Sequence, residues 1–295
     1  MKIVGRGKVK TKCPRPAEEI FDDIALAIDM AIKDAGITMD EVSSIGVGTP
    51  GSVNKSNGYI EFANNLDFNK VPAKDMLEER LGKKEIYIDN DANCAALGEA
   101  VAGVGKGVGN FVAVTLGTGV GSGIIINGKI VSGVNYAAGE MGHMVIMVDG
   151  EQCNCGRRGC WEQYASATAL IAQTKDSMRH HHDSKMWELV NDNIDNVSGR
   201  TAFDAMRLGD KAAKEVVDRY IYYVAAGVIN IINALQPEII CIGGGIGHEG
   251  ETILEPLRMH VNRERYSIYA AKQTKIMAAE LGNDAGIFGA ALLDE

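Results

Sequence analysis

Residues 86–103 read IYIDNDANCAALGEAVAG. A short apolar run gives way to a polar junction, Asp89 to Asn93, and then to a run of strong helix formers. The chain therefore passes from a strand into a helix at that junction. Upstream, EEIFDDIALAIDMAIKDAG places Ile20, Ile24, Ile28 and Ile32 on one apolar stripe, which Gly36 stops. SSIGVGTPGSV (43–53) reads as a buried strand entering a Gly/Pro turn. Downstream, NFVAVTLGTGVGSGIIINGKIV (110–131) reads as two strands around a glycine loop, with Asn127-Gly128 as a hairpin turn. Residues 164–234 read as mostly helical. EIICIGGGIG is a further strand running into a glycine turn and helix, and NDAGIFGAALLDE (283–295) a short small-residue helix. Strands alternating with helices define an α/β class, and neither a low-complexity linker nor a solenoid period interrupts them.

Composition narrows the partners. The 295 residues carry 30 Lys+Arg against 39 Asp+Glu, a net charge of -9, so no basic field gathers nucleic acid. No uncharged run reaches the roughly 18 residues that span a bilayer, and the N-terminus has no signal-like apolar core. A cytoplasmic location away from membranes is expected. The one compositional oddity, MRHHHDSKMW (178–187), is expected to be an exposed tract, because adjacent helical residues point in different directions.

Three of the six cysteines crowd into residues 153 to 160. In a reducing compartment such a cluster is more often a metal site than a disulfide framework. With His143 they form a set of one imidazole and three thiols (Cys153, Cys155, Cys160), which suits a tetrahedral, structural zinc (Zn2+) with no position left for water. The other motifs are ambiguous as chemistry. Asp91 reads as a helix N-cap or as a reactive carboxylate, and Asp89 as a second capping group. LGTGVGSG (116–123) and IGGGIG (242–247) read as tight turns or as phosphate loops whose bare N–H groups face oxygen.

The order Glu140-x-Gly142-His143, nine residues, then Cys153-x-Cys155-Gly156-x-x-Gly159-Cys160-x-Glu162 resembles the signature of the ROK family of repressors, open-reading-frame proteins and kinases. WEQYASATAL (161–170) resembles the glucokinase branch. The resemblance covers the chain from about residue 8 and implies a two-lobed actin-like ATPase (ribonuclease H-like) fold with a zinc loop and a sugar cleft. The lobes would be 1–104 plus 282–295, and 105–281. By the same resemblance Asp91 is the catalytic base, and Gly51, Asn65, Asn90, Asp91, Glu140, His143 and Glu162 bind the sugar. Gly117, Thr118, Gly119 and Gly121 then form the second phosphate loop, and Gly243, Gly244 and Gly245 the adenosine loop, for ATP with magnesium (Mg2+). A homodimer is implied on the same grounds.

One departure stands out. ROK kinases open with strands carrying Asp-x-Gly-Gly-Thr, the first phosphate loop, whereas this chain reads MKIVGRGKVKTKCPRP. Residues 8–11 resemble the third strand, so by the same resemblance about 20 to 25 residues are missing or replaced by GRG, judged from usual strand lengths. The expected function is ATP-dependent phosphorylation of the glucose 6-hydroxyl. Alternatives are another ROK hexose kinase (for N-acetylmannosamine, fructose or allose) or a non-catalytic sugar-binding remnant. No room precedes Pro16 for the helix-turn-helix of the family's repressors.

Overall fold

In the computed structural model, which describes residues 1–82 and 84–294 (Asn64 by its backbone only), the isoleucine ladder becomes helix α1, Ala17–Ala35. Gly36 ends it at φ +70°, its N–H returning to the Ile32 and Lys33 carbonyls. The chain divides into two compact units. The first comprises Met1–Gly107, Gly123–Gly139 and Asn283–Glu295, the second Val108–Ser122 and Glu140–Gly282. Lys83 and Glu295, both within ranges assigned to the first lobe from sequence, lie outside the described residues.

In the first unit, β1 (Ser44–Thr49) runs parallel to a later strand, and a three-stranded antiparallel meander intervenes: β2 (Ser52–Asn54), β3 (Tyr59–Ala63) and β4 (Phe68–Val71). Helix α2 (Ala73–Leu81) leads into β5 (Glu85–Asn90), the partner of β1, and α3 (Asp91–Val101) follows without a break. The register sets Gly48 beside Asp89 and Thr49 beside Asn90, so the two strand ends deliver the GTPG turn and the polar junction together. Ile20, Phe21, Val53, Ile60, Phe68, Leu77, Ile86 and Ile88 form the buried core beneath. Each contributes about 1.5–3 kcal/mol of apolar burial.

Residues 8–11, read from sequence as a strand, form none. A strand needs a laddered neighbour, and the described parallel sheet here contains only β1 and β5. The residues just before this segment pack their backbone closely on α1. A Cβ at Gly5 would stand 2.2 Å from the Ala31 carbonyl oxygen, and one at Gly7 1.8 Å from that of Ala27. Between them the Arg6 guanidinium takes both carboxylate oxygens of Asp284, at 3.0 and 2.7 Å. Gly5, Arg6 and Gly7 thus act as a packing element. An apolar cavity of about 300 Å³ lies under α1, lined on one side by Val9 and Thr11 and on the other by Val47, Gly48 and Thr49.

In the second unit lies β6 (Phe111–Leu116); β7 (Val120–Ile126) begins there, but its residues from Gly123 on, the Asn127-Gly128 turn and β8 (Lys129–Ile130) belong to the first. Both turn residues have positive φ, 52° and 76°, as a type I′ hairpin requires. Residues 123–139 were expected with the second lobe but cluster with the first. The reason is contact with α3, since the Gly123 Cβ position lies 2.5 Å from Ala96. Beyond the cysteine segment come α4 (Glu162–Ala165), α5 (Ala167–His180) and the long helix Lys211–Leu235. β9 (Ile239–Gly243), buried at all five positions, sits between β6 and β10 (Lys275–Ala278) in parallel. No described helix is long and apolar enough to cross a membrane. In the histidine tract His180 and His182 are exposed, and no metal-binding group forms there among the described residues.

Candidate active site and metal centre

The strand-to-helix junction of the first unit separates capping from chemistry. The cap is Asn90, whose Oδ1 accepts the Ala92 and Asn93 N–H groups at 2.8 and 3.2 Å. Its Nδ2 donates to the Gly51 carbonyl at 2.9 Å, which ties the GTPG turn to the helix start. Asn90 therefore has one amide hydrogen left for a ligand. Losing cap and tie together, Asn90→Ala is expected to lower stability by about 1–2 kcal/mol, checked by thermal or urea unfolding.

Asp91 occupies the first helical position with its side chain at the exposed surface, sharing the Ala92 N–H with the Asn90 cap (2.9 Å to its Oδ1). Its carboxyl nonetheless stands above the ordinary carboxylate range. Surrounding protein strips water from the charged form, and hydrogen bonds from the Ala92 and Asp91 N–H groups only partly offset this. Asn65 is exposed on the single 3₁₀ turn Asn64–Leu66 between β3 and β4. Gly51, Asn90 and Asp91 thus come together, with Asn65 in the same unit.

The second unit carries the glycine loops and the remaining candidates. At the turn from β6 to β7, the Gly117 carbonyl accepts the Ala167 N–H (2.8 Å) and the Thr118 carbonyl accepts the Thr168 hydroxyl (2.7 Å). Carbonyls are thereby turned into α5. Glu162 holds the far side of the loop, its Oε2 accepting the Val120 N–H at 2.9 Å. Glu162 comes close to the backbone here: a Cβ at Gly119 would stand 2.3 Å from the same oxygen, so a larger residue would make the carboxylate shift. Gly121 follows on β7. At the end of β9, Gly243, Gly244 and Gly245 begin the helical turn Gly244–Gly247, and Gly244 has φ +80°.

His143 ends the 3₁₀ turn Met141–His143, which Glu140 precedes. Residues 144–161 then fold into a small knuckle. Bridges pair Val145 with Cys160 and Gln152 with Arg158, while Gly156 and Gly159 take φ of +91° and +77° that only glycine adopts cheaply. The ligand atoms of His143, Cys153, Cys155 and Cys160 all lie within 4.8 Å of one another. His143 Nδ1 is 3.6 Å from Cys153 Sγ, and Cys155 Sγ is 3.6 Å from Cys160 Sγ. A tetrahedral zinc with ordinary bond lengths has ligand–ligand edges of about 3.5–3.8 Å, so the set fits. The Arg157 N–H draws the Cys155 thiol below its usual range, while burial pushes Cys160 up to about 12. Trp161, fully buried, anchors the knuckle by donating its indole N–H to the Tyr223 carbonyl at 2.8 Å.

The model of the ROK family matches residues 2–295. A glucokinase of Halalkalibacterium halodurans is 38% identical over 289 residues, 97% of this chain and 86% of its own. A glucokinase of Thermotoga maritima is 38% identical over 253 residues, 85% of this chain and 79% of its own. Among solved structures, a ROK family glucokinase from Streptomyces griseus in complex with glucose and AMPPNP aligns with a TM-score of 0.85 and 35% identity, over 99% of this chain and 92% of that one. The α/β architecture is that of the ROK sugar kinases, an actin-like ATPase fold. Similarity along nearly the whole chain, together with a knuckle that brings the signature's histidine and cysteines into one cluster, makes the conclusion plain: the chain belongs to the ROK family.

Proposed function

We propose that this protein is a glucokinase that transfers the γ-phosphoryl group of ATP to the 6-hydroxyl of glucose. The observation that carries the reading is its similarity to a glucokinase bound to glucose and AMPPNP, joined to an exposed carboxylate, Asp91, beside an N-cap that Asn90 supplies. In the reaction the glucose oxygen forms a bond to the γ-phosphorus as the bond to the ADP oxygen breaks. Asp91 accepts the hydroxyl proton. Magnesium, when bound with ATP, neutralises charge building on the phosphoryl oxygens.

The sugar's hydroxyls are assigned to Asn65, the remaining amide hydrogen of Asn90, Glu140, His143 and Glu162, with the Gly51 turn alongside. His143 turns Nδ1 toward the thiols, so Nε2 is its group for the sugar. The loop at 117–121 offers N–H groups to phosphate, and residues 243–245 border the adenosine. Zinc on His143, Cys153, Cys155 and Cys160 is structural. The protein acts in the cytoplasm as a homodimer.

A coupled assay over glucose, N-acetylmannosamine, fructose and allose, with calorimetry for glucose and ATP, tests the reading. Preferred turnover of glucose supports it. Glucose affinity without nucleotide affinity or turnover identifies a sugar-binding protein instead. Glu162→Gln is expected to raise the glucose KM at least fivefold, since a hydrogen bond to a charged group contributes about 1.5–3 kcal/mol. The amide keeps an acceptor for the Val120 N–H, so an unchanged KM removes Glu162 from the sugar site.

A further inference from the structure

Asp89, one position before Asn90, is a buried carboxylate with 2% of its surface exposed. Burying such a charge is costly unless it is paired and hydrogen-bonded. Its Oδ1 accepts the Asn90 N–H at 2.7 Å and an Asn93 Nδ2 hydrogen at 3.0 Å. Its Oδ2 has no hydrogen-bond partner of ordinary geometry, and its compensation is the Lys55 ammonium at 2.5 Å. Lys55 lies in the turn between β2 and β3, and its side chain is only 33% exposed. Only the short strand β2 separates that turn from Gly51, whose carbonyl already holds Asn90. The same two segments are therefore joined twice, once by a neutral hydrogen bond at the surface of the junction and once by a charge pair beneath it.

We infer that Lys55 is a positioning residue for phosphoryl transfer. Through Asp89 it fixes the Asn90 peptide, and through that the direction in which the next residue, Asp91, presents its carboxylate. The inference rests on the proposed role of Asp91 as base. Asp89 and Lys55 need touch neither sugar nor nucleotide. Without the cation, the Asp89 carboxylate lies buried and unbalanced, and its rotation toward water loosens its grip on the Asn90 N–H. A misplacement of about 1 Å at a reacting group costs about 100-fold in rate. Glucose binding, spread over many hydroxyl contacts, is much less sensitive.

The test compares the full chain with Lys55→Met, Lys55→Arg, Asp89→Asn, the Lys55→Met/Asp89→Asn double variant and Asp91→Asn. For each, kcat, glucose KM, glucose Kd by calorimetry and Tm are measured, with assays run well below the lowest Tm. Lys55→Met is expected to lower kcat about 10- to 100-fold with glucose Kd changed less than about threefold. Lys55→Arg keeps the cation and should restore kcat. The double variant has no unbalanced charge and should exceed Lys55→Met in kcat, a non-additivity that marks direct coupling. An unchanged kcat in Lys55→Met overturns the proposal, as does a loss shared equally by the arginine and double variants. Should Lys55→Met not fold, Asp89→Asn decides alone: a kcat equal to the parent's overturns the proposal. Loss of turnover in Asp91→Asn beside full activity in Lys55→Met sinks only the positioning role. Full activity in Asp91→Asn, or no turnover in the parent, sinks the role of Asp91 and this one with it.

Discussion

Replacing Asp91 by asparagine is expected to lower turnover by about 10² to 10⁴ while glucose binding stays measurable and the melting temperature at neutral pH does not fall. The rate loss follows because an amide cannot accept the proton of the 6-hydroxyl. The stability expectation follows from the direction of the Asp91 shift. Its folded pKa lies above the ordinary aspartate range because the surrounding protein strips water from the charged form. A raised carboxyl contributes stability that is fully present below the unfolded pKa and lost as pH rises through the folded one. At neutral pH the ionised group is thus a cost to folding, and asparagine removes it. A helix cap would behave in the opposite way, and that role belongs to Asn90. Asp89→Asn, which leaves the base in place, should cost much less. The same shift sets the acid limb of the pH–rate profile: kcat/KM falls as pH drops through the raised pKa of Asp91, at higher pH than an ordinary aspartate would allow. Near-normal turnover in Asp91→Asn with a lowered melting temperature would reassign it to structure.

Several of these features were legible in the letters and others were not, for physical reasons. The isoleucine spacing of α1, the strand-to-helix junction at 90–91 and the Asn127-Gly128 turn are local signals, set by periodicity and by residues that tolerate positive φ. Each appears where its pattern places it. The cysteine cluster was equally visible, because three thiols within eight residues are themselves a local pattern. The meander β2–β4 went unread, since strands of three to five residues around Asn- and Gly-containing turns leave too few positions to show alternation. Residues 8–11 have strand-like letters and no ladder partner, and pairing is a property of the neighbour. Lys55 sits in the Asn/Lys/Ser/Asn/Gly turn with no motif around it. Only the β1–β5 register and the return of β2 bring its ammonium under Asp89. The cap itself was misplaced in the letters: Asp91 and Asp89 read as the capping groups, whereas Asn90 caps, because the choice depends on which side chain turns back and not on spacing.

The second large effect concerns the knuckle, where purified protein is expected to carry about one zinc per chain and Cys155→Ser to lose most of it. Cys155 makes the cleanest test because it is exposed, whereas Cys153 and Cys160 are 1% and 0% exposed and their replacement also disturbs packing. Zinc held by such a set is worth about 10–16 kcal/mol in small zinc domains, comparable to the whole net stability of a typical protein. Here the effect should be smaller, since the Val145–Cys160 and Gln152–Arg158 bridges and buried Trp161 hold part of the knuckle without metal. A drop of several degrees in melting temperature is expected. Glucose affinity should fall with it, because Glu140 and His143 stand at one end of the knuckle and Glu162 at the other. Chelation of the parent should reproduce both losses, and added zinc should reverse them. Protein prepared without chelators that contains no zinc, or a Cys155→Ser variant with unchanged melting temperature and glucose Kd, would show that the thiols cluster for another reason.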